Sequence, residues 1–403
     1  MYRSGLHPPR RVNAALLSTS LRHMAYQSHR ARLTVVGALV VVAALLGCAT
    51  DAPTSATPSA PSSPPVTVAT DTIWTARLQR VLDSAVRTVP LRGVSGAVVL
   101  ADGRVWRGVA GLSAPGVPMD TAMRLGIGSI SKSITATLLV RLAERGRLTL
   151  DDPVGRWLPP IAHVDPAITV RQLLNHSSGV FDITDAPGYR DSILANTSAR
   201  WTPQRTLALL RPPLFPRGTG WSYSNSNYQL AGLVAEAAGG RPYHQQVRDE
   251  LLVPLGLTAP FLDQYEAPTG PLPGGWVGGA MNVMETRAST YSAAWAAGAY
   301  FSTPEALARW WQGLMTGRLV STASLGQMMT TVGSEGYGLG IVRRQLVGRP
   351  VWSHTGEIRG FASVAAHDVA GRFTVVLIAN ENPAPVTLLA GSLVSIVAAV
   401  AVP

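Results

Sequence analysis

A mixed α/β (α+β) fold is predicted, with an antiparallel sheet flanked by helices and a helical insertion domain between its two halves. Three observations predict it. Strand-like apolar runs occur near both ends of the 403-residue chain, while residues of about 150–295 read as helices and Pro/Gly loops. The first two runs, Gly96–Leu100 and Val105–Ala110, are joined by Ala101-Asp102-Gly103-Arg104, and Asp-Gly between apolar runs signals a hairpin. A last apolar stretch, Val386–Val402, is interrupted by Gly391, Ser392 and Ser395 and reads as a helix packed on a sheet.

The elements follow in chain order. Residues 33–46 (LTVVGALVVVAALL) form an apolar stretch behind Arg30 and Arg32, too short to span a bilayer and ending in Leu45-Leu46-Gly47-Cys48. This resembles a lipoprotein signal, so residues 1–48 are expected to be a leader with Cys48 as the lipidated residue. Residues 49–70, rich in Pro, Ser, Thr and Ala, have nothing to bury and read as a tether before a folded domain at 71–403. That domain opens with a helical stripe, Ile73, Leu78, Val81, Leu82 and Val86, ahead of the hairpin. A long helix is predicted from Ser129 to Arg145, stopped by Gly146. A second starts with Asn227 as its cap and runs to Gly239-Gly240, and a third covers Pro304–Met315. Strands are predicted at Tyr337–Arg343, Val351–His354, Phe361–His367 and Phe373–Ala379.

Charge and composition remove several function classes. The formal charge is +11, but Arg3, Arg10, Arg11, Arg22, Arg30 and Arg32 precede residue 48, where no acidic residue occurs. The remainder has no dense basic run and no aromatic-rich basic strand, which argues against a nucleic-acid partner. A single cysteine excludes a disulfide scaffold. His163, His176, Asp182 and Asp185 lie close in sequence without a metal-ligand spacing, and no metal or other cofactor is expected. Asp151 and Asp152, before Pro153, are expected to form a turn or cap.

One count points to chemistry. Of the 34 basic side chains 33 are Arg, and Lys132 alone is Lys. Lysine can become a neutral amine base, whereas guanidinium stays charged. Ser129-Ile130-Ser131-Lys132 opens the long helix, and residues three apart share a helical face, so the hydroxyl and the amine can meet. Backbone N–H groups at a helix start favour developing negative charge. The same field, with partial burial, disfavours an ammonium. A nucleophile beside a base is what covalent catalysis needs.

Two further patterns, Tyr223-Ser224-Asn225 and His354-Thr355-Gly356, accompany the first. The trio resembles the serine β-lactamase and penicillin-binding family, in its class C β-lactamase and DD-carboxypeptidase branch. IGSISKSITATLLVRLAERGRLTLDDPVGRWLP, ITVRQLLNHSSGV, YSNSNYQLAGLVAEAAGG, YGLGI and WSHTGEIRGF also resemble family segments in family order, over roughly 72–400. The resemblance implies a β-lactamase/DD-peptidase-like fold and a two-step acyl transfer. Ser129 would attack a carbonyl, Lys132 and Tyr223 would share the proton traffic, and His354 would hold the phenol–hydroxyl network. Asn225 would position the substrate with Thr355 and Gly356, and the N–H groups of Ser129 and Glu357 would form the oxyanion hole. A monomeric enzyme, exported and anchored to the membrane through Cys48, is the implied form.

The sequence departs from the family where carboxypeptidases grip a terminal carboxylate. Val342 stands where an Arg is expected after YGLG-x, and Glu357 where a hydroxyl is expected after His-Thr-Gly. Arg344 could substitute for the first, and Arg359, two along the same strand, could neutralise the second. The leading expectation is a DD-carboxypeptidase-like hydrolase of amides or esters. A carboxylesterase, a class C-type β-lactamase and a non-catalytic envelope binding protein are the alternatives. The lack of a Gly-x-Ser-x-Gly elbow argues against an α/β-hydrolase esterase.

Overall fold

A computed structural model describes residues 68–401 except Pro90, Met281 and Asn282. The expected leader, Cys48 and most of the tether lie outside these residues. The first helix, α1 (Val68–Thr88), begins inside the span read as tether. Among the described residues no helix is long and apolar enough to cross a membrane.

Seven strands make one antiparallel sheet: β1 (Gly93–Val99), β2 (Val105–Ala114), β3 (Val117–Pro118), β4 (Val342–Leu346), β5 (Arg349–Ile358), β6 (Phe361–Asp368) and β7 (Phe373–Ala379). Their spatial order is β3-β2-β1-β7-β6-β5-β4. The two ends of the chain meet where β1 pairs with β7, with Ala97 opposite Val376. The hairpin between β1 and β2 turns at Gly103, whose φ of 88° suits glycine.

Both faces of the sheet are covered, which explains why β7 reads as an unbroken apolar run. Val375, Leu377 and Ala379 face α1 and α6 (Val386–Ala401), packing with Leu78, Leu82, Leu393 and Val394. Val376 and Ile378 alternate onto the other face. There they join the larger core with α2 (Ser131–Glu144), α4 (Asn225–Gly239) and α5 (Pro304–Met315). The short α3 (Tyr189–Ala195) belongs to the helical insertion. Helix α5 has the predicted bounds because Thr303 caps it by accepting from the Ala306 N–H, with Pro304 in the first turn.

Several boundaries differ from expectation, each for a local reason. Ser129 lies in a 3₁₀ turn, Gly128–Ile130, that precedes α2 rather than opening it. Helix α4 starts at Asn225, because the Asn227 side chain is not a cap but bonds Ser178 and His176. Tyr337–Leu339 is not strand; Gly340, at φ 70°, carries this loop over α2, where a Cβ would lie 2.7 Å from the Lys132 carbonyl oxygen. Strand β5 extends well past His354, so His354, Thr355 and Gly356 lie within it. Arg359 is not on that strand but in the β5–β6 turn with Gly360.

Candidate active site

The turn before α2 is held between two parts of the molecule. Ile127 N–H donates to the Tyr300 carbonyl at 2.9 Å, and its own carbonyl accepts from Ser363 Oγ at 2.8 Å. Gly128 follows at φ 51°, and a Cβ there would lie 2.7 Å from the Glu357 nitrogen. Gly356 is matched to it, since a Cβ would come within 2.0 Å of the Ile127 carbonyl oxygen. Two missing side chains therefore let the Ser129 turn press directly on β5.

Lys132 is fully buried on the first turn of α2. Its Nζ lies 2.9 Å from Ser129 Oγ, 2.8 Å from Asn225 Oδ1 and 2.8 Å from the Ala297 carbonyl oxygen. The Tyr223 ring centroid is 4.9 Å from the same nitrogen. Burial pulls the Lys132 pKa down to about 7, against the opposing charge of Asp182. The half-buried Ser129 thus sits beside an amine that loses its proton near neutrality.

Asp182, which shows no metal-ligand spacing in the sequence, acts on Lys132 through its charge and through Asn225. Asn225 Nδ2 donates to its Oδ2 at 3.0 Å, and the Thr184 N–H donates to its Oδ1 at 3.0 Å. This fixes the Asn225 amide with its oxygen toward Lys132. Burial raises the Asp182 pKa. A signal existed, an acid inside the apolar run Val180-Phe181-Asp182-Ile183, but its partner is 43 positions away.

His354 is buried on β5. Its Nδ1 lies 2.6 Å from the Thr355 carbonyl oxygen, so Nδ1 carries the proton and Nε2 accepts from the Tyr337 hydroxyl at 3.0 Å. Burial, with Lys132 and then Arg344 opposing a positive charge, pushes its pKa down to about 3. The phenol bonded to His354 is thus that of Tyr337.

His176 completes the aromatic group. It is fully buried, and its ring centroid lies 4.4 Å from Tyr223 and 4.6 Å from Tyr337. Its Nδ1 accepts from the Ser224 N–H at 3.2 Å, which ties the Tyr223–Asn225 loop to the His176 ring.

The remaining residues separate. Thr355 is half-buried and Glu357 exposed on β5. Arg344 is exposed on β4, close enough to disfavour a charge on His354. Arg359 makes no ion pair with Glu357, and its Nε is buried without a hydrogen-bond partner among the described residues. Asp151 and Asp152 lie away from this group, paired with Arg171 and Arg156.

The profile of the beta-lactamase family matches residues 78–396. The esterase EstB of Burkholderia gladioli is 35% identical over 207 residues, 45% of this chain and 50% of its own length. The D-alanyl-D-alanine-carboxypeptidase/endopeptidase AmpH of Escherichia coli K12 is 28% identical over 257 residues, 59% of this chain and 61% of its own. The chain therefore spans about half to three-fifths of these relatives. A solved D-stereospecific amidohydrolase from Streptomyces superposes with TM-score 0.70 at 32% identity, covering 78% of this chain and 97% of that one. With that match over most of its length and this sheet-and-helix architecture, the chain belongs to the beta-lactamase family.

Proposed function

We propose that the protein is a serine hydrolase that cleaves an amide or ester through an acyl-enzyme on Ser129. The contacts of Lys132 carry this reading. A neutral amine has two N–H bonds and one lone pair. Asn225 Oδ1 and the Ala297 carbonyl can only accept, so they take both N–H bonds. The lone pair is left for Ser129 Oγ at 2.9 Å, the arrangement a general base needs. Ser129 Oγ then bonds the substrate carbonyl carbon as its proton passes to Lys132. The leaving group departs with a proton delivered through Tyr223, and water releases the acyl group. The Ser129 and Glu357 N–H groups serve the oxyanion, supported by the close approach of their backbones. His354 acts through Tyr337 rather than on substrate, while Asn225, Thr355, Gly356 and Arg344 line the substrate path.

A DD-carboxypeptidase-like substrate is the first reading, supported by the His-Thr-Gly strand and the AmpH likeness. An esterase is the second, because Val342 is buried where a carboxylate-binding Arg would stand, and EstB is similar. The stretch before residue 70 supports an exported lipoprotein held through Cys48, with the hydrolase acting as a monomer outside the cytoplasm.

The test is an acyl mass on the Ser129 peptide after incubation with fluorescent penicillin and with a para-nitrophenyl ester. A slowly released penicillin adduct favours the peptidase, rapid penicillin turnover a lactamase, and ester turnover without an adduct the esterase. Lys132→Arg should keep the fold and lose about 10²–10⁴-fold in acylation rate. Undiminished acylation in that variant would overturn the mechanism.

A further inference from the structure

Beside the β5–β6 turn lies a pocket of about 370 Å³, walled by Ile193, Leu194 and Val277 and flanked by Tyr189, Arg190 and Arg359. Its only charged lining residues are the two arginines. Neither makes an ion pair among the described residues, unlike Arg171, Arg217 and Arg287. The Arg359 Nε is buried with no hydrogen-bond partner, and so is the hydroxyl of Thr290 on the same wall. Native structures seldom leave buried donors unmatched, because each costs its full desolvation. Both residues line the cavity, where the two arginines are the only charges an incoming group would meet.

The pocket lies beside the strand that carries Glu357. Arg359 follows Glu357 by two residues, and Tyr189 is close enough to Asp182 for that carboxyl to disfavour its ionisation. The direction along β5 matters. Tyr223, the proton donor to the leaving group, packs near Tyr337, which bonds His354. The leaving group therefore points to the His354 end of β5 and the acyl chain past Glu357 toward Arg359.

We propose that this pocket selects substrates whose acyl group carries an apolar stem ending in a carboxylate. The apolar walls would hold the stem, and the Arg359 guanidinium, with Arg190 beside it, would hold the anion through charge-assisted hydrogen bonds. This rests on the acyl-enzyme reading for its direction along β5, but it names a preference that reading does not contain.

The full chain is assayed with two para-nitrophenyl esters of equal chain length, the glutarate monoester, which ends in a carboxylate, and the neutral valerate. Wild type should prefer the glutarate ester by about tenfold or more in kcat/KM, the scale of one hydrogen bond to a charged group. Arg359→Gln should bring the ratio close to one, and Arg359→Lys should restore part of it. Binding of the same esters to Ser129→Ala, followed by calorimetry, reads the preference without turnover. Preferential binding with no turnover by wild type leaves the pocket assigned and removes the hydrolase reading. Equal turnover and equal binding of the two esters, or a ratio that survives in Arg359→Gln, overturns the pocket and leaves the hydrolase reading intact.

Discussion

A single amine among 33 guanidiniums would mean little if it were exposed; its weight comes from where it is buried. Arg at position 132 would bring a permanent charge to a place where a lone pair is needed. The state of that nitrogen is set by two opposed influences, burial lowering its pKa and Asp182 raising it. The rate of acylation should therefore rise with pH through about 7, as Lys132 loses its proton. Asp182→Asn removes the carboxylate charge, so the ascending limb should move to lower pH. A kcat/KM profile against pH, taken for wild type and variant on one ester, checks the direction. A limb that stays in place or moves upward contradicts the electrostatic role given to Asp182.

At the scale of elements, the decisive contact joins the 3₁₀ turn to β5. Neither segment would form it alone; each gives up a side chain, at Gly128 and Gly356, to let two backbones touch. Gly128→Ala would have to hold φ 51° while its Cβ met Glu357 N at 2.7 Å. Such strain costs about 1–3 kcal/mol. We expect a lower melting temperature and a larger loss in kcat than in KM, since the oxyanion donors move apart. Normal kcat with normal melting would show that the turn and the strand do not depend on this approach.

Across the whole molecule the sheet separates two cores, and the candidate active site lies at the margin of the larger one. Burial there extends to polar groups. His176, His354 and His367 are all buried and held below the ordinary histidine range, His354 at about 3 and His367 at about 4. Below about 6.5 the unfolded chain binds protons that these folded imidazoles refuse, so stability rises with pH between about 3 and 6.5 and falls as acid is added. Asp182, with its raised pKa, works the opposite way, but as one group against three. Melting temperature should drop between pH 6.5 and 4.5, above the range where most carboxylates titrate. A flat profile across that interval would count against neutral buried histidines.

The amino-acid order by itself determined the class of fold and the meeting of Ser129 with Lys132. Apolar runs, the Asp-Gly turn and the bounds of α5 are local properties, and so is the three-residue spacing of Ser129 and Lys132. Boundaries failed where distant residues intervene: Asn227 reads as a cap until its amide is engaged by Ser178 and His176, and Tyr337 reads as strand until its hydroxyl reaches His354. Arg359 could neutralise Glu357 if the strand ran on, but the chain turns at Gly360 and Arg359 lines a pocket instead. Asp182, His176 and the Ala297 carbonyl act on Lys132 or Tyr223 from across the fold. Short-range spacing cannot encode such partners, because burial and hydrogen bonding between separate segments exist only once the chain has closed on itself.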